Sequence, residues 1–175
     1  MGKRQRIVVK VGTNTLCGDL DRPDPWFMAA LADEIVDLRK SGHQVILVTS
    51  GAIGTGRAIL GLTDKPRDVR LRQACAAVGQ PRLMEGWASA FARRGVHVAQ
   101  VLLTYHTFAA RHSYLHMREA MLKLLDMGIV PVVNENDTTS ISEIDAGFGD
   151  NDRLSALVAT KLEADLLVIL SDVAG

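Results

Sequence analysis

Two clusters of carboxylate and amide side chains stand close together in the sequence. The first, residues 134–137 (Asn-Glu-Asn-Asp), directly follows an apolar run, and the second, residues 149–152 (Gly-Asp-Asn-Asp), directly precedes a stretch of helix-forming composition. Ligands of open α/β sheets bind at the carboxyl ends of the strands, so polar groups there are good candidates for a site. Asn and Asp also form ordinary turns and helix caps, and each cluster alone is explained equally well in that way. The convergence of two clusters favours a functional site.

A lysine and a glycine-rich loop add positive charge and backbone donors. Lys10 lies within the β-branched run of residues 7–11, next to a Gly-Thr pair. Such a lysine either reaches the sheet edge or directs its ammonium group at an anion, and the adjacent Gly-Thr loop favours the anion. Residues 50–56 (Ser-Gly-Ala-Ile-Gly-Thr-Gly) stand before a helical stretch, where free N–H groups bind anions. This loop matches neither the Walker A pattern nor the dinucleotide-binding fingerprint, so alone it is weak evidence.

Together these groups suit phosphoryl transfer. That reaction needs positive charge and backbone donors around the transferred group, and acidic groups that orient those cations and the substrate. Ser50 is better explained as a ligand-binding hydroxyl than as a nucleophile, because the GxSxG pattern and a histidine placed to activate it are absent from the sequence. His112 and His116 have the spacing of two metal ligands on a helix but no obvious third ligand, so we expect two solvated histidines and no protein metal site.

The segments around these residues alternate between strand and helix. Continuous apolar runs and helical spacing in alternation predict an α/β fold with a mainly parallel sheet, right-handed crossovers and helices packed on the sheet. A tight polar loop is expected after the first strand, and a break or kink is expected near residues 79–81 because they include glycine and proline. Strands are predicted at residues 7–11, 44–49, 96–103, 129–133 and 164–170, and helices at 24–40, 68–94, 112–127 and 154–159.

Length and composition indicate one domain with a small-molecule partner. The chain has 175 residues, 47% of them hydrophobic, and equal numbers of basic and acidic residues. A formal net charge of zero gives no reason to expect nucleic acid or an anionic membrane as a partner. The apolar runs are too short to span a membrane or to form a signal peptide. Cys17 and Cys75 lack zinc spacing, so we expect free thiols, small apolar or surface residues, in a reducing, cytoplasmic setting.

Five motifs occur in one order and spacing, at residues 9–13, 48–53, 76–80, 133–137 and 149–156. Taken jointly they resemble the glutamate 5-kinases of the amino acid kinase family, and the resemblance runs from residue 7 to residue 175. The lysine and glycine loops are shared with aspartokinases, acetylglutamate kinases and carbamate kinases. The two acidic-amide clusters narrow the resemblance to the glutamate enzymes.

The resemblance implies a three-layer αβα sandwich, the amino-terminal part of the amino acid kinase fold. Residues 1–175 would form a kinase domain that is incomplete at its C-terminal nucleotide-binding half. The implied reaction transfers the γ-phosphoryl group of ATP, with Mg²⁺, to the side-chain carboxylate of L-glutamate, forming L-glutamyl 5-phosphate in the first step of proline biosynthesis. The resemblance also implies feedback inhibition by proline, a homo-oligomer, and an association with glutamyl phosphate reductase.

The family's functional residues map onto matching positions of this sequence. Lys10 would stabilise the moving phosphoryl group, and Asp152 would orient that lysine rather than act as a base. Asp137 would favour the α-ammonium group of glutamate. The resemblance implies ATP contacts from Lys10, Gly12, Thr13, Ser171 and Asp172, and glutamate contacts from Ser50, Gly51, Ala52, Asn134, Asp137 and Asn151.

The sequence departs from the family pattern at three points. Asn14 stands where the family usually has serine, and Ser171 where it usually has threonine, and both changes keep a hydrogen-bonding side chain. The family's second catalytic lysine belongs to the nucleotide-binding half and cannot be named here. Three alternatives therefore stay open: another amino acid kinase acting on aspartate or acetylglutamate, a module that binds glutamate or proline without catalysis, and an inactive fragment.

Overall fold

The computed structural model describes residues 3–18, 22–139 and 151–172. Strands and helices alternate through these residues, as the apolar runs predict. The strands are β1 (Arg6–Val11), β2 (Gln44–Val48), β3 (Val98–Leu103), β4 (Val130–Glu135) and β5 (Leu166–Leu170). The helices are α1 (Thr13–Cys17), α2 (Pro25–Lys40), α3 (Ala52–Ile59), α4 (Val69–Ala92), α5 (Tyr105–Ala109), α6 (Arg111–Asp126) and α7 (Asn151–Lys161).

The five strands form one parallel sheet in the order β3-β4-β2-β1-β5. Strand β1 lies between β2 and β5, with Lys10 opposite Val48 on one side and Ile169 on the other. Because all the strands run the same way, their carboxyl ends lie along a single edge of the sheet. The predicted α/β fold with a parallel sheet is confirmed, and the predicted site residues that end strands share one edge.

Helices cover both faces of the sheet. Successive side chains of a strand point to opposite faces, and on β1 the buried Val9 packs with α2 and α4, whereas the buried Val8 packs with α6 and α7. The first core contains Trp87 and Phe91 of α4, both fully buried, and the second contains Met121 of α6. The predicted αβα layering is therefore present. Lys10 has the same parity as Val8, which places its side chain on the α7 face.

Helix α4 runs unbroken through Gly79 and Pro81, so a break there is wrong, and the kink expected as its alternative stays a prediction. Pro81 is exposed, and the carbonyl that loses its hydrogen bond to this proline belongs to Ala77, which is exposed and can bond to water. Gly79 serves a different purpose, because a methyl group there would overlap the carbonyl oxygen of Ala52 on α3. Of the helices in the described residues, α4 included, none is long and apolar enough to cross a membrane.

Glycines hold α3 and α4 in close contact. A methyl group at Gly56 would overlap the backbone of Cys75, just as one at Gly79 would overlap the backbone of α3. In contrast, a methyl group at Gly86 would meet only the tip of the Met28 side chain, at 2.9 Å. Backbone cannot move aside as a flexible side chain can, so Gly56 and Gly79 fix the position of α3 relative to α4.

Two short helices were missed by the sequence analysis. The loop expected after β1 is the helical turn α1, which buries Leu16 and Cys17. Helix α5 likewise buries Phe108. Each turn is too short to show periodicity and forms because it buries an apolar side chain in the tertiary structure.

Both cysteines are free and buried, which agrees with the expectation of unpaired thiols and excludes a surface position. Burial raises the pKa of the Cys17 thiol to about 11, so this thiol stays protonated at neutral pH. A protonated, buried thiol is a poor nucleophile. Cys17 is therefore a packing residue, and its sulfur would lie 3.4 Å from a methyl group at Gly51.

Candidate active site

Lys10 and Asp152 form an ion pair at the carboxyl edge of the sheet. Lys10 is 7% exposed, and a buried ammonium group requires a charged or hydrogen-bonding partner. Asp152 lies in the first turn of α7, where the helix dipole favours a carboxylate. A methyl group at Gly12 would lie 3.3 Å from Lys10 Nζ, so glycine at this position leaves room beside the ammonium group. The pair thus presents an oriented positive charge next to an accessible space.

Asn151 joins the ends of two strands to α7. Its side-chain nitrogen donates to the Thr49 carbonyl at 2.9 Å, to Ser50 Oγ at 2.6 Å and to Asn134 Oδ1 at 3.2 Å. The two hydrogens of one amide are therefore shared among three acceptors. Since Asp152 follows Asn151 directly, this amide fixes the start of the helix that carries the lysine's partner.

A second layer of contacts supports that network from α4. Asn134 Nδ2 donates to Gln80 Oε1 at 2.9 Å, and the indole N–H of the fully buried Trp87 donates to Thr49 Oγ1 at 3.0 Å. Within the described residues, Gln80 Nε2 and Asn151 Oδ1 are buried without a hydrogen-bond partner. Buried polar atoms are rarely left unpaired in folded proteins. The Asn151 oxygen is therefore a candidate acceptor for a bound molecule.

A cavity of about 300 Å³ opens beside these side chains. Its volume suits a small metabolite. The acceptor side chains come from the ends of β2 and β4 and from α7, as the parallel topology requires. The predicted site residues that line it are Thr13, Ser50, Gly51, Ala52, Asn134, Asp137 and Asn151.

The N-terminus of α3 faces this cavity through Gly51, Ala52, Ile53 and Gly54. Gly51 caps the helix with φ 102°, a left-handed conformation that favours glycine, and no side chain caps the helix. The first N–H groups of a helix lack intrahelical acceptors and carry partial positive charge. They are therefore able to bind an anionic group, next to the Ser50 hydroxyl.

Asp137 and Glu135 form the acidic part of the cavity lining. Burial, and after it the charge of Glu135, raise the pKa of Asp137 to about 6, and the charge of Arg72 opposes the rise. An incompletely compensated carboxylate attracts a cation. Glu135 was named in the sequence motif but not as a site residue. Its buried place at the end of β4 shows that the apolar strand continues into the motif.

Three basic side chains on the same cavity were missed by the sequence analysis. We call Arg57, Lys65 and Arg72 the basic rim. Arg57 belongs to the last turn of α3, Arg72 to the first turn of α4, and Lys65 to the segment between these helices. Charged residues in such segments are usually solvated, and no local pattern separates these three from the other basic residues. Only the packing of α3 on α4 reveals that they border one cavity.

The predicted ATP residues after β5 lie beside Lys10 rather than in the cavity lining. Asn14 Nδ2 donates to Asp172 Oδ2 at 2.9 Å, and Ser171 and Asp172 are both exposed. The Asn14 hydrogen bond, followed by a hydrogen bond from the backbone of Asp172, lowers the pKa of the Asp172 carboxyl group, and the charge of Lys10 adds to the effect. Lys10 therefore acts on two carboxylates, Asp152 at the start of α7 and Asp172 after β5.

Two further groups of residues that the sequence analysis discussed are not among the described residues that line the cavity. Gly149 and Asp150 of the second acidic cluster lie outside the described residues. His112 and His116 are exposed on α6, and their ring nitrogens Nδ1 and Nε2 are 3.4 Å apart. In residues 3–18, 22–139 and 151–172 there is no group of three or more His, Cys, Asp or Glu side chains able to hold a metal ion.

The chain is similar to known proteins along nearly its whole length. The model of the amino acid kinase family matches residues 5–175. The chain is 50% identical over 177 residues to a glutamate 5-kinase of Methanosarcina mazei, covering 97% of this chain and 46% of that protein. It is 45% identical to the glutamate 5-kinase of Methanococcoides burtonii and 50% identical to that of Meiothermus ruber, covering 47% and 44% of those proteins and 100% and 97% of this chain. The chain spans about half the length of the curated relatives it matches.

Proposed function

Because this chain belongs to the amino acid kinase family, we propose that its protein transfers the γ-phosphoryl group of ATP to the side-chain carboxylate of L-glutamate. The product is L-glutamyl 5-phosphate, and the reaction is the first step of proline synthesis. One observation carries the proposal. The Lys10–Asp152 pair is joined through Asn151 to a cavity that offers Ser50 and a helix N-terminus to an anion and Asp137 to a cation.

The proposed step needs no general base, because the attacking carboxylate is already ionised at neutral pH. One of its oxygens forms a bond to the γ-phosphorus while the bond from that phosphorus to the bridging oxygen of ADP breaks. Negative charge spreads over the transferred group, and preorganised positive charge stabilises it. The Lys10 ammonium group supplies that charge, and Asp152 fixes its direction. The Ser50 hydroxyl and the N–H groups of Gly51 and Ala52 hold the attacking carboxylate.

ATP is proposed to approach from the side of Asn14 and Asp172. Two features support this orientation: Gly12 leaves space beside Lys10 Nζ, and the Asn14–Asp172 pair is exposed at the end of β5, the strand next to β1. Thr13 and Ser171 belong to the same strand ends. Mg²⁺ usually reaches such sites on the phosphates of the nucleotide with few protein ligands.

The relatives are named glutamate 5-kinases, and this name extends the proposal to the biological setting. A glutamate 5-kinase is proposed to work in the cytoplasm, where ATP and glutamate are available, to be inhibited by the end product proline, and to form a homo-oligomer. An association with glutamyl phosphate reductase is proposed because an acyl phosphate hydrolyses readily and gains from direct transfer to the next enzyme.

Trapping of the acyl phosphate tests the reaction. Hydroxylamine converts an acyl phosphate to a hydroxamate, so the complete gene product is incubated with ATP, Mg²⁺, hydroxylamine and L-glutamate, L-aspartate or N-acetyl-L-glutamate in turn. We expect ATP-dependent hydroxamate with glutamate and at least tenfold less with the other two. Equal or greater yield with aspartate or acetylglutamate would assign the protein to another branch of the family, and no hydroxamate with any of the three would overturn the proposal.

A further inference from the structure

The basic rim stands on the same cavity as Asp137, on the side formed by α3, α4 and the segment between them. Neither Lys65 nor Arg72 forms an ion pair or a side-chain hydrogen bond within residues 3–18, 22–139 and 151–172, whereas other surface arginines of the chain do, such as Arg82 with Glu85. A long cation that borders a cavity without a protein partner is suited to an anionic ligand.

The position of Arg72 on α4 reinforces this reading. Helix α4 begins after its cap Asp68, and its first turn contains Arg70 and Arg72 but no acidic residue. Cations near a helix N-terminus are opposed by the helix dipole. Arg70 is within 4.0 Å of the Asp68 carboxylate, so its charge is partly offset, whereas Arg72 lines the cavity and has no carboxylate of the described residues within 4.0 Å. The result is a local positive potential at the wall of the cavity.

Arg72 and the carboxylate proposed to bind an ammonium group line the same cavity. The charge of Arg72 acts on the ionisation of Asp137, and both side chains line the cavity. In an α-amino acid the ammonium and α-carboxylate groups are attached to the same carbon, so their protein partners must also be neighbours. A carboxylate and a guanidinium group on one cavity can bind the ammonium group and the α-carboxylate of an amino acid, respectively.

We propose that the basic rim, with Arg72 as its principal member, is the subsite for the α-carboxylate of the amino acid substrate. The inference rests on the proposed function and deepens it, since it states which end of the substrate faces which wall. The α-carboxylate binds between α3 and α4, the α-ammonium group binds Asp137, and the side-chain carboxylate extends to Ser50 and the N-terminus of α3, next to Lys10. The substrate class is then an α-amino acid with a second carboxylate.

The test compares L-glutamate with 4-aminobutyrate, which is glutamate without its α-carboxylate. Dissociation constants of both compounds are measured by calorimetry on the complete gene product and on its Arg72→Gln variant. We expect the variant to bind glutamate roughly 10- to 100-fold more weakly, the loss expected for a hydrogen bond to a charged group, and to bind 4-aminobutyrate as before. The preference for glutamate over 4-aminobutyrate should therefore fall by the same factor.

Arg70→Gln is the matched control, because Arg70 belongs to the same helical turn but is not part of the cavity lining. Its preference should equal that of the unaltered protein, and Arg72→Lys, which keeps the charge, should retain most of the preference. Lys65→Gln and Arg57→Gln are expected to reduce the preference less than Arg72→Gln.

Two results overturn the inference. One is a preference that stays within twofold of the unaltered protein in Arg72→Gln, and the other is an equal loss of affinity for both compounds, which would indicate a structural role. Either result leaves the proposed reaction intact if glutamate hydroxamate still forms. Absence of hydroxamate in the unaltered protein would instead refute the proposed function.

Discussion

The two walls of the cavity are built in different ways. At the ends of the strands, Ser50, Asn134 and Asn151 line the cavity and are tied to one another by hydrogen bonds. Lys10, at the end of β1, is buried and held by its ion pair with Asp152. We call these four residues the strand-end wall.

The helical wall is formed by α3, α4 and the segment between them. There, Lys65 and Arg72 of the basic rim are exposed. The side chains of the strand-end wall are therefore held in position, whereas the helical wall supplies positive charge on exposed side chains.

This difference separates two kinds of function. Stabilising a transition state requires groups held in position before the reaction starts, whereas attracting a charged substrate requires only potential and reach. The strand-end wall should therefore control turnover, and the helical wall should control affinity. Each of the following experiments tests whether the two walls have these different roles.

The largest effect is expected for Lys10→Ala in the complete gene product. Removing one preorganised electrostatic stabiliser should lower kcat by roughly 10²–10³ with little change in KM for glutamate. Lys40→Ala is the control, because Lys40 is an exposed lysine whose partner, Asp37, is on the same helix. Turnover is measured under saturating substrates in a coupled ADP assay, and a normal kcat in Lys10→Ala would remove the basis for assigning catalysis to the strand-end wall.

Asp137→Asn tests the boundary between the two walls. Loss of the charge that faces the α-ammonium group should raise KM for glutamate roughly 10- to 100-fold and leave kcat within a fewfold. Glutarate, which lacks the ammonium group, should bind the variant at least as well as the unaltered protein. An unchanged KM for glutamate would exclude Asp137 from substrate binding.

Gly79→Ala should lower the free energy of unfolding by about 1–3 kcal/mol, because the added methyl group overlaps the backbone of α3. Urea denaturation monitored by circular dichroism measures the change. Gly86→Ala on the same helix is the matched control, since its methyl group meets only the tip of Met28 and its helix propensity improves. Equal stability of the two variants would show that α3 and α4 can separate without cost, and then the basic rim would have no fixed position.

The smallest effect concerns pH. The pKa of Asp137 is about 6, above its ordinary value of 3.8, so between these values the folded protein holds a proton that the unfolded chain releases. Stability therefore falls as pH rises from about 4 to 6, and the loss is complete above the folded pKa. Without ligand, Asp137→Asn should be more stable than the unaltered protein by roughly 1–2 kcal/mol at pH 7, after allowance for solvent screening, and nearly equal to it at pH 4.

Urea denaturation at pH 4 and pH 7 compares the two proteins. The same stability difference at both pH values would contradict a half-buried Asp137 that ionises in the folded protein. Added glutamate should reverse the order at pH 7, because the unaltered protein gains binding energy that the variant lacks.

The strand-end wall was largely accessible from sequence. Lys10, Ser50 and Asn134 each follow or interrupt an apolar run that reads as a buried parallel strand, and parallel strands bring their ends to one edge. Local patterns therefore predicted the fold and also predicted that these residues lie at one edge of the sheet. Their catalytic and binding roles stay predictions until the variants are measured.

The helical wall was not accessible in this way. Arg57, Lys65 and Arg72 look like ordinary surface charges in the sequence, and their convergence depends on contacts at Gly56 and Gly79 that no local pattern encodes. The same limit explains the expected break near Pro81, because the sequence does not reveal that the proline's side of α4 faces water. Tertiary contact decided each of these features.

The interior position of β1, between β2 and β5, has a consequence for synthesis on the ribosome. Its neighbour β5 comes late in the chain, and the Arg6 amide finds its acceptor on Asp165, 159 positions later. At translation rates of about 5–20 residues per second, one edge of β1 waits on the order of 10–30 s for its partner. During that interval Lys10 has no carboxylate to meet and the strand is open to pairing with other chains, so chaperone binding to the nascent amino-terminal segment would protect this protein most.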